Sequence, residues 1–326
     1  MTSQYLLATR APYHLEATVR VLQRRPSNLV DVWERDRYLR VLALAEGLVL
    51  VEVHDSGTID DPDVHFSIRA GSASRATHRQ ACTVLRKMLG LDIDLAPLQH
   101  LVAAERTLGG ITIALRGMRP PRFAGLFETF ASVVPFQQLS LEAGVAIVAR
   151  LVSRFGEYLE HEGRRFYAFP TAQSVASARL EALRACGLSA KKAQTLRGLA
   201  RAMQSGDLTE NELVALSTRV ALQRLTELPG IGPWSAGVVL LRGLGRLDVF
   251  PSGDVGAARG LRTLMQLTPS APLDLVIERF GSHRGYLYFY ALGAWLLARG
   301  LVHPAPKPAH SKQAAREHAR NRPDRT

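Results

Sequence analysis

Cysteine is scarce in this chain of 326 residues, which holds only two. Cys82 and Cys186 lie far apart and outside any metal-ligand spacing. This scarcity is typical of a protein from a reducing cytosol, and it argues against disulfides, a cysteine zinc site and an iron–sulfur cluster. The 10 histidines form no HExxH or similar cluster. We therefore expect no catalytic metal and no other cofactor.

Long hydrophobic runs are absent as well. The longest uncharged apolar run, Tyr286 to Ala298, is shorter than the roughly 18 residues that suggest a membrane span. We interpret that run as a buried core helix, including most of its aromatic cluster. The N-terminus lacks the apolar stretch of a secretory signal. We therefore expect no membrane partner and a cytoplasmic location.

Acidic residues are outnumbered by basic ones. The chain has 41 Lys and Arg against 29 Asp and Glu, for a net charge of +12 and a pI near 10.3. A balance this basic favours a polyanionic partner, either nucleic acid or an anionic membrane surface. Because no membrane segment is present, nucleic acid is the better supported of the two.

Three segments differ in their residue pattern. Residues 1–91 contain strand-like runs followed by a helix that ends at Gly90; the runs are Tyr38–Leu44, Leu48–Val53 and Val64–Ile68, and the helix is Arg75–Leu89. Residues 92–302 become helical, with an apolar stripe from Phe123 to Val134 and helices predicted over 189–205, 222–228 and 284–299. Residues 303–326 are rich in Pro, Lys and Arg and are expected to be disordered. The pattern predicts an α+β fold, a mainly α-helical core preceded by a small antiparallel sheet-plus-helix domain.

The most informative stretch reads Leu228-Pro229-Gly230-Ile231-Gly232-Pro233-Trp234-Ser235-Ala236. Two glycines two residues apart allow a tight turn between helices, and Ile231 between them can plug the core. Exposed amides at the start of the second helix suit a phosphate oxygen. A lone Gly-X-Gly is typical of an ordinary helix–helix corner. The complete LPGIGxxxA pattern is the helix-hairpin-helix signature, so we predict a DNA-backbone site around 222–245 formed by Gly230, Ile231 and Gly232.

A carboxylate follows the hairpin in the stretch Leu247-Asp248-Val249-Phe250-Pro251-Ser252-Gly253-Asp254. This order of hairpin, Gly/Pro-rich loop and aspartate resembles the helix-hairpin-helix superfamily of base-excision DNA glycosylases, most closely the 3-methyladenine DNA glycosylase II family. The resemblance implies that Asp254 is the catalytic residue and that 92–302 is the glycosylase core. Asp254 would also cap a helix that begins at Val255, and the two roles are compatible.

The resemblance assigns further residues around Asp254. Family members that also cut the DNA strand carry a Schiff-base lysine two residues beyond the second hairpin glycine, where this chain has Trp234. We therefore expect a monofunctional enzyme with Trp234 in the base pocket. Gln137 would lie near the flipped sugar or base, and Gln138 would fill the gap left by the extruded nucleotide.

The sequence thus predicts a DNA glycosylase that hydrolyses the N-glycosidic bond of damaged, mainly alkylated, purines. Its expected partner is double-stranded DNA containing damaged bases. We expect a monomer that associates with the nucleoid if its source is bacterial. Two alternatives stay open: a non-catalytic helix-hairpin-helix DNA-binding protein, and an oxidised-purine glycosylase with lyase activity.

Overall fold

The α+β architecture predicted from the sequence is confirmed. A computed structural model describes residues 4–306, so the predicted tail from residue 307 onward lies outside the described residues. Within that range the strands are β1 Gln4–Leu6, β2 Val32–Glu34, β3 Arg37–Leu44, β4 Gly47–Asp55, β5 Val64–Gly71, β6 Tyr158–His161 and β7 Arg164–Tyr167.

The first five strands form one antiparallel sheet in the order β1-β5-β4-β3-β2. The three central strands are those that the sequence predicts, but their middle residues are buried on both faces of the sheet rather than on alternate residues. A bulge between Leu50 and Val51 shifts the register of β4 against β5. The edge strands β1 and β2 span three residues each, too few for a periodic pattern to reveal them.

The α-helices are α1 Leu15–Gln23, α2 Arg75–Leu89, α3 Ala96–Ala103, α4 Gly109–Ala114, α5 Leu126–Ala131, α6 Leu141–Phe155, α7 Ala172–Ala176, α8 Leu180–Ala185, α9 Ala190–Ser205, α10 Glu210–Ala215, α11 Thr218–Thr226, α12 Pro233–Val238, α13 Val255–Leu264, α14 Leu273–Glu278 and α15 Gly285–Leu297. Short 3₁₀ turns lie at Arg106–Leu108, Val134–Phe136 and Gly281–His283, and a π turn at Val239–Gly243 extends α12. None of the described helices is long and apolar enough to cross a membrane.

Helix α2 has the bounds that the sequence predicts. At its start the Ser74 hydroxyl accepts the Thr77 backbone N–H at 3.1 Å, an N-cap that satisfies one of the free amides of the first turn. At its end Gly90 adopts the left-handed conformation with φ of 62°. Glycine adopts this conformation without a steric clash because it has no Cβ. The apolar face of α2, with Leu85 and Met88, packs beneath the sheet.

Helix α1 lies between two hydrophobic cores. One face places Leu15, Val19 and Leu22 in the core beneath the sheet. The opposite face places Ala17 and Val21 in the core formed by the C-terminal helices α13 and α15. This one helix therefore joins the sheet to the helical part of the chain.

The segment predicted to become helical, residues 92–302, also contains a β-hairpin that the sequence analysis did not predict. Strands β6 and β7 pair in antiparallel register. Phe166 and Ala168 pack with Leu39, Val41 and Leu50 of the large sheet. Each strand of this hairpin has only four residues. The contact with the distant large sheet, rather than the hydrophobic pattern of the hairpin itself, accounts for its burial.

Two helix predictions need different bounds. The stripe from Phe123 to Val134 is not one helix, because α5 ends at Ala131 and a 3₁₀ turn follows. Pro135 has no N–H to continue an α-helix. Helix α11 begins earlier than predicted, after its Ser217 N-cap, and ends at Thr226. The proline at position 229 disfavours helical backbone at the residue before it.

A buried ion network fastens the sheet to the helical core. The Arg40 guanidinium, from β3, is nearly inaccessible and binds the carboxylates of Asp31 and Glu128, the latter from α5. The Tyr38 hydroxyl donates to the same Asp31 carboxylate at 2.7 Å. Removing one member of such a network leaves a buried charge without its partner.

The first residues of the predicted C-terminal tail lie against the folded chain. The Ala305 backbone N–H donates to the Ala114 carbonyl at 2.7 Å, and His303 lies 3.0 Å from the Glu16 carboxylate. Residues 303–306 thus run past the start of α1.

We predict that His14, the buried residue before α1, makes stability fall with acid. Burial, together with the smaller effects of the charges of Arg116 and His303, lowers the pKa of His14 from 6.5 to about 4. The unfolded chain binds this proton more readily, so stability present above pH 6.5 is lost as pH falls toward 4, by up to about 3 kcal/mol. Urea unfolding at pH 7 and pH 4.5 should show a smaller loss for His14→Gln than for the wild type.

The control for this prediction is His100→Gln, because His100 is exposed on α3. It should retain the wild-type loss between the two pH values. Equal losses for His14→Gln and the wild type would contradict the prediction.

Candidate functional site

Helices α11 and α12 form the hairpin that the sequence predicts. Gly230 adopts a φ of +82°, and a Cβ at this position would collide with the Thr195 side chain. Ile231 is 4% exposed and packs in the core around the hairpin. Its backbone N–H donates to the Leu228 carbonyl at 3.0 Å, so Ile231 secures the turn from inside.

The start of α12 has backbone amides without an acceptor. Gly232 is the N-cap, exposed, and has open space where a Cβ would stand. The N–H groups of Gly232, Trp234 and Ser235 have no hydrogen-bond acceptor among residues 4–306. Free amides at a helix start favour an anion through direct hydrogen bonds and the helix dipole. The geometry therefore suits one backbone phosphate.

Gln137 braces this hairpin. Its side-chain amide donates to the Gly230 carbonyl and to the Ser235 hydroxyl, both at 2.9 Å. Lys192 in turn donates to the Gln137 carbonyl at 2.6 Å, which fixes the loop before α6 to the start of α9. Gln138, next in the chain, is exposed with a φ of 55°, so it projects from a backbone conformation that few residues adopt.

A cleft of about 750 Å³ lies beside the hairpin. Asp254 and Trp234 both line it, as does Leu139, whereas Gln137 does not. Helices α13 and α15 line the rest of the cleft with large side chains such as Leu264 and Trp295 and with a set of small ones: Gly256, Ala257, Gly260, Ala291 and Ala294.

Asp254 is held by two hydrogen bonds. Its Oδ1 accepts the Ala257 backbone N–H at 2.8 Å, which makes it the N-cap of α13. Its Oδ2 accepts the Trp234 indole N–H at 2.9 Å. The carboxylate therefore has one orientation within the cleft, and a side chain of the hairpin helix sets it.

Other aromatic side chains divide between core and cleft. Tyr286, Phe289 and Tyr290 are buried in the C-terminal core, as the sequence predicts for most of that cluster. Tyr288 is also buried but reaches the cleft lining. Val238 lines the cleft as well, while Val255 points to solvent and is 69% exposed.

Three further residues of the cleft were missed by sequence reasoning: Arg24, Glu142 and Trp295. Trp295 lies between two guanidinium groups, those of Arg25 at 4.6 Å and Arg299 at 4.0 Å from its ring centroid. Arg25 also forms an ion pair with Glu142. These residues come from α1, α6 and α15, which no local motif connects; only the fold brings them together.

The hairpin with its free amides suits a DNA backbone, and the adjacent cleft with its fixed carboxylate suits chemistry on one nucleotide. Comparison with known families agrees. The family described as "HhH-GPD superfamily base excision DNA repair protein" matches residues 131–280. The AlkA N-terminal domain family matches residues 4–124.

Individual relatives point the same way. DNA-3-methyladenine glycosylase 2 of Escherichia coli is 30% identical over 251 residues, covering 77% of this chain and 84% of that protein. The 3-methyladenine DNA glycosylase structure from Archaeoglobus fulgidus superposes with a TM-score of 0.74 at 27% identity, covering 92% of this chain and all (100%) of that one. A Schizosaccharomyces pombe 3-methyladenine DNA glycosylase in complex with abasic DNA has a TM-score of 0.50 at 28% identity. The match covers 60% of this chain and 94% of that chain.

The chain therefore belongs to the HhH-GPD superfamily of base excision DNA repair proteins. The resemblance stated from the sequence is confirmed, and so is the prediction of a glycosylase-type hydrolase.

We predict that Gly232→Val weakens binding to all DNA duplexes alike. Its φ of −93° and the open space around it allow the side chain without a clash inside the protein. The new side chain would stand where phosphate approaches the free amides, and we expect about a tenfold loss of affinity, equivalent to about 1.4 kcal/mol. Fluorescence anisotropy with undamaged and abasic duplexes measures this.

Gly110→Val provides the matched control, since Gly110 is exposed on α4, also has open space around it and lies outside the hairpin. It should bind as the wild type does. A Gly232→Val defect confined to one lesion would contradict a phosphate contact.

Proposed function

We propose that this chain is a monofunctional DNA glycosylase that releases alkylated purines from duplex DNA after flipping the nucleotide into the cleft. The observation that carries the proposal is the Asp254 carboxylate, held in one orientation by Trp234 and the start of α13 inside a cleft beside the hairpin. A non-catalytic DNA-binding protein would have no need of a carboxylate fixed in such a place.

In this proposal the hairpin amides and the Asp254 carboxylate have different roles. The free amides of Gly232, Trp234 and Ser235 bind the DNA backbone without reading sequence. Breaking the N-glycosidic bond develops positive charge on the sugar, as in other glycoside hydrolyses. A carboxylate fixed beneath that sugar stabilises the charge and orients the attacking water.

Asp254→Asn tests this role. Asparagine is as good an N-cap as aspartate, so thermal unfolding and binding to abasic DNA should change little. The asparagine side chain has no negative charge. It also has only one oxygen, so its NH₂ group must face one of the two N–H donors that Asp254 accepts. We expect base release in single-turnover assays to fall by at least about a hundredfold.

Trp234→Phe is the companion variant, because it keeps an aromatic ring but removes the indole N–H that orients Asp254 together with part of the ring volume. It should release bases more slowly than the wild type and faster than Asp254→Asn. Wild-type rates for Asp254→Asn would refute the assignment of Asp254.

Lyase activity is disfavoured by the composition of the cleft. Trp234 stands where the Schiff-base lysine of strand-cutting relatives is expected, and no lysine lines the cleft among residues 4–306. Lys192 lies nearby, but its ammonium is engaged by the carbonyls of Pro135 and Gln137.

The preference for alkylated purines rests on the leaving group. Glu142 is the second carboxylate of the cleft, and its own backbone N–H and Arg25 hold its pKa below the ordinary value. A carboxyl group with a lowered pKa is a poor proton donor at neutral pH. The cleft thus lacks a general acid for a neutral base, whereas an N-alkylated purine carries positive charge and leaves readily. Escherichia coli and Archaeoglobus fulgidus relatives named for 3-methyladenine support this choice.

The test is single-turnover excision of 3-methyladenine, 7-methylguanine and 8-oxoguanine from one duplex context, with borohydride added in a parallel set. We expect the two methylated bases to leave faster than 8-oxoguanine, and no covalent adduct to form. Faster release of 8-oxoguanine, or a trapped adduct, would favour the oxidised-purine glycosylase instead.

A further inference from the structure

Arg24, directly after α1, has an unusual backbone. Its φ of 62° and ψ of −42° place it in a region that side-chain-bearing residues rarely adopt. The N–H of Arg25 donates to the carbonyl of Gln23 at 2.7 Å across it, which is the pattern of a classic γ-turn, a strained conformation. This turn sends two successive arginines in different directions.

The two arginines have different surroundings. Arg25 is paired with Glu142 and stacks on Trp295. The Arg24 residue is only 9% exposed, lies 4.9 Å from the Phe136 ring centroid and lines the cleft. Its guanidinium has no hydrogen-bond acceptor and no carboxylate partner among residues 4–306.

The charges around Arg24 leave it uncompensated. The cleft carboxylates are Asp254, held by Trp234, and Glu142, held by Arg25. The other cations of the lining are Arg259 and Arg299. Behind Arg24 lies buried Arg242, whose pKa falls to about 9 because of burial and then because of the charge of Arg24. The Nε–H of Arg24 is buried without an acceptor, which is costly, so this group suits a ligand that supplies one.

We propose that Arg24 donates a hydrogen bond to the carbonyl oxygen at C6 of the flipped purine and thereby raises the release of alkylated guanines relative to alkylated adenines. The proposal rests on the glycosylase function proposed above. A carbonyl at C6 accepts from a guanidinium, the most common partner of guanine O6 in protein–DNA contacts. Adenine-derived bases carry an amino group at C6. Like the Arg24 guanidinium, this amino group donates hydrogen bonds, so the two cannot pair.

The burial of Arg24 argues for the base rather than for a phosphate as its ligand. Phosphates of the DNA backbone meet exposed groups at the surface, as the amides of the hairpin do. Arg24 lies against Phe136 and lines the cleft and a second cavity of about 30 Å³, which is too small for a base. A ligand as large as a base therefore reaches Arg24 through the cleft, and in base excision that ligand is the extruded base.

The test uses one duplex DNA methylated with dimethyl sulfate, which carries 3-methyladenine, 3-methylguanine and 7-methylguanine together. The first two share the methyl position and the positive charge, but only the guanine has a carbonyl at C6. Bases released by the wild type and Arg24→Met are separated by chromatography. We expect release of both methylguanines to fall about tenfold relative to 3-methyladenine, the effect of one hydrogen bond to a charged group.

Arg299→Met is the matched control, because it removes the same charge from an exposed position at the edge of the cleft. It should leave the ratio of guanine to adenine products at the wild-type value. Arg24→Lys, which retains a charged donor, should lower the ratio less than Arg24→Met does. Thermal unfolding verifies that each variant is folded, and Arg24→Gln replaces Arg24→Met if methionine prevents folding.

The outcomes separate the two proposals. Parallel loss of all three products in Arg24→Met, or an unchanged ratio, would overturn the role of Arg24 while the glycosylase function stands. A wild-type enzyme that releases none of the three bases would overturn the proposed function itself, and the role of Arg24 with it.

Discussion

The packing of α1 on two opposite faces is the constraint on which the arrangement of this protein depends. Leu15 and Val19 belong to the core beneath the sheet, and Ala17 and Val21 belong to the core of the C-terminal helices. A helix buried on both sides cannot shift against one core without opening a cavity in the other. The Arg40 network adds a second connection from the sheet to α5.

This constraint has consequences at the cleft. The end of α1 delivers Arg24 to the lining, and Arg25 to Trp295 and Glu142. The sheet domain therefore contributes to the cleft through the end of α1, whereas none of the strands β1 to β5 lines the cleft. Asp254 and Trp234 are positioned independently of α1, by the hairpin and the start of α13. Two structural units thus meet at one cavity, one carrying the carboxylate and the other the buried cation.

What the sequence reveals about this protein is the part that depends on local chemistry. The left-handed Gly230, the buried Ile231 and the N-cap role of Asp254 each follow from a residue and its immediate neighbours. The helix α2 is read from its cap, its apolar stripe and Gly90. These features require no knowledge of the rest of the fold.

The parts that escaped sequence reasoning depend on distant contacts. Strands β6 and β7 are stabilised by the packing of Phe166 against the large sheet. Glu142 lines the cleft because helix α6 begins beside it. Gln137 was predicted near the flipped base, yet the placement of its amide on Gly230 and Ser235 depends on residues about a hundred positions away in the chain. Arg24 gave no signal, because two arginines before a proline are typical of an exposed loop.

The opposite charges of Arg24 and Asp254 suggest how the cleft treats a cationic base. Before cleavage an N-alkylated purine carries positive charge on the ring, and a guanidinium beside it raises the energy of that state. As the glycosidic bond breaks, the charge moves from the base to the sugar, so repulsion by Arg24 declines while attraction by Asp254 grows. Both changes favour the transition state over the bound substrate, which is the condition for faster chemistry. A hydrogen bond from Arg24 to a C6 carbonyl would retain the base during this shift, because the neutral product still offers the same acceptor.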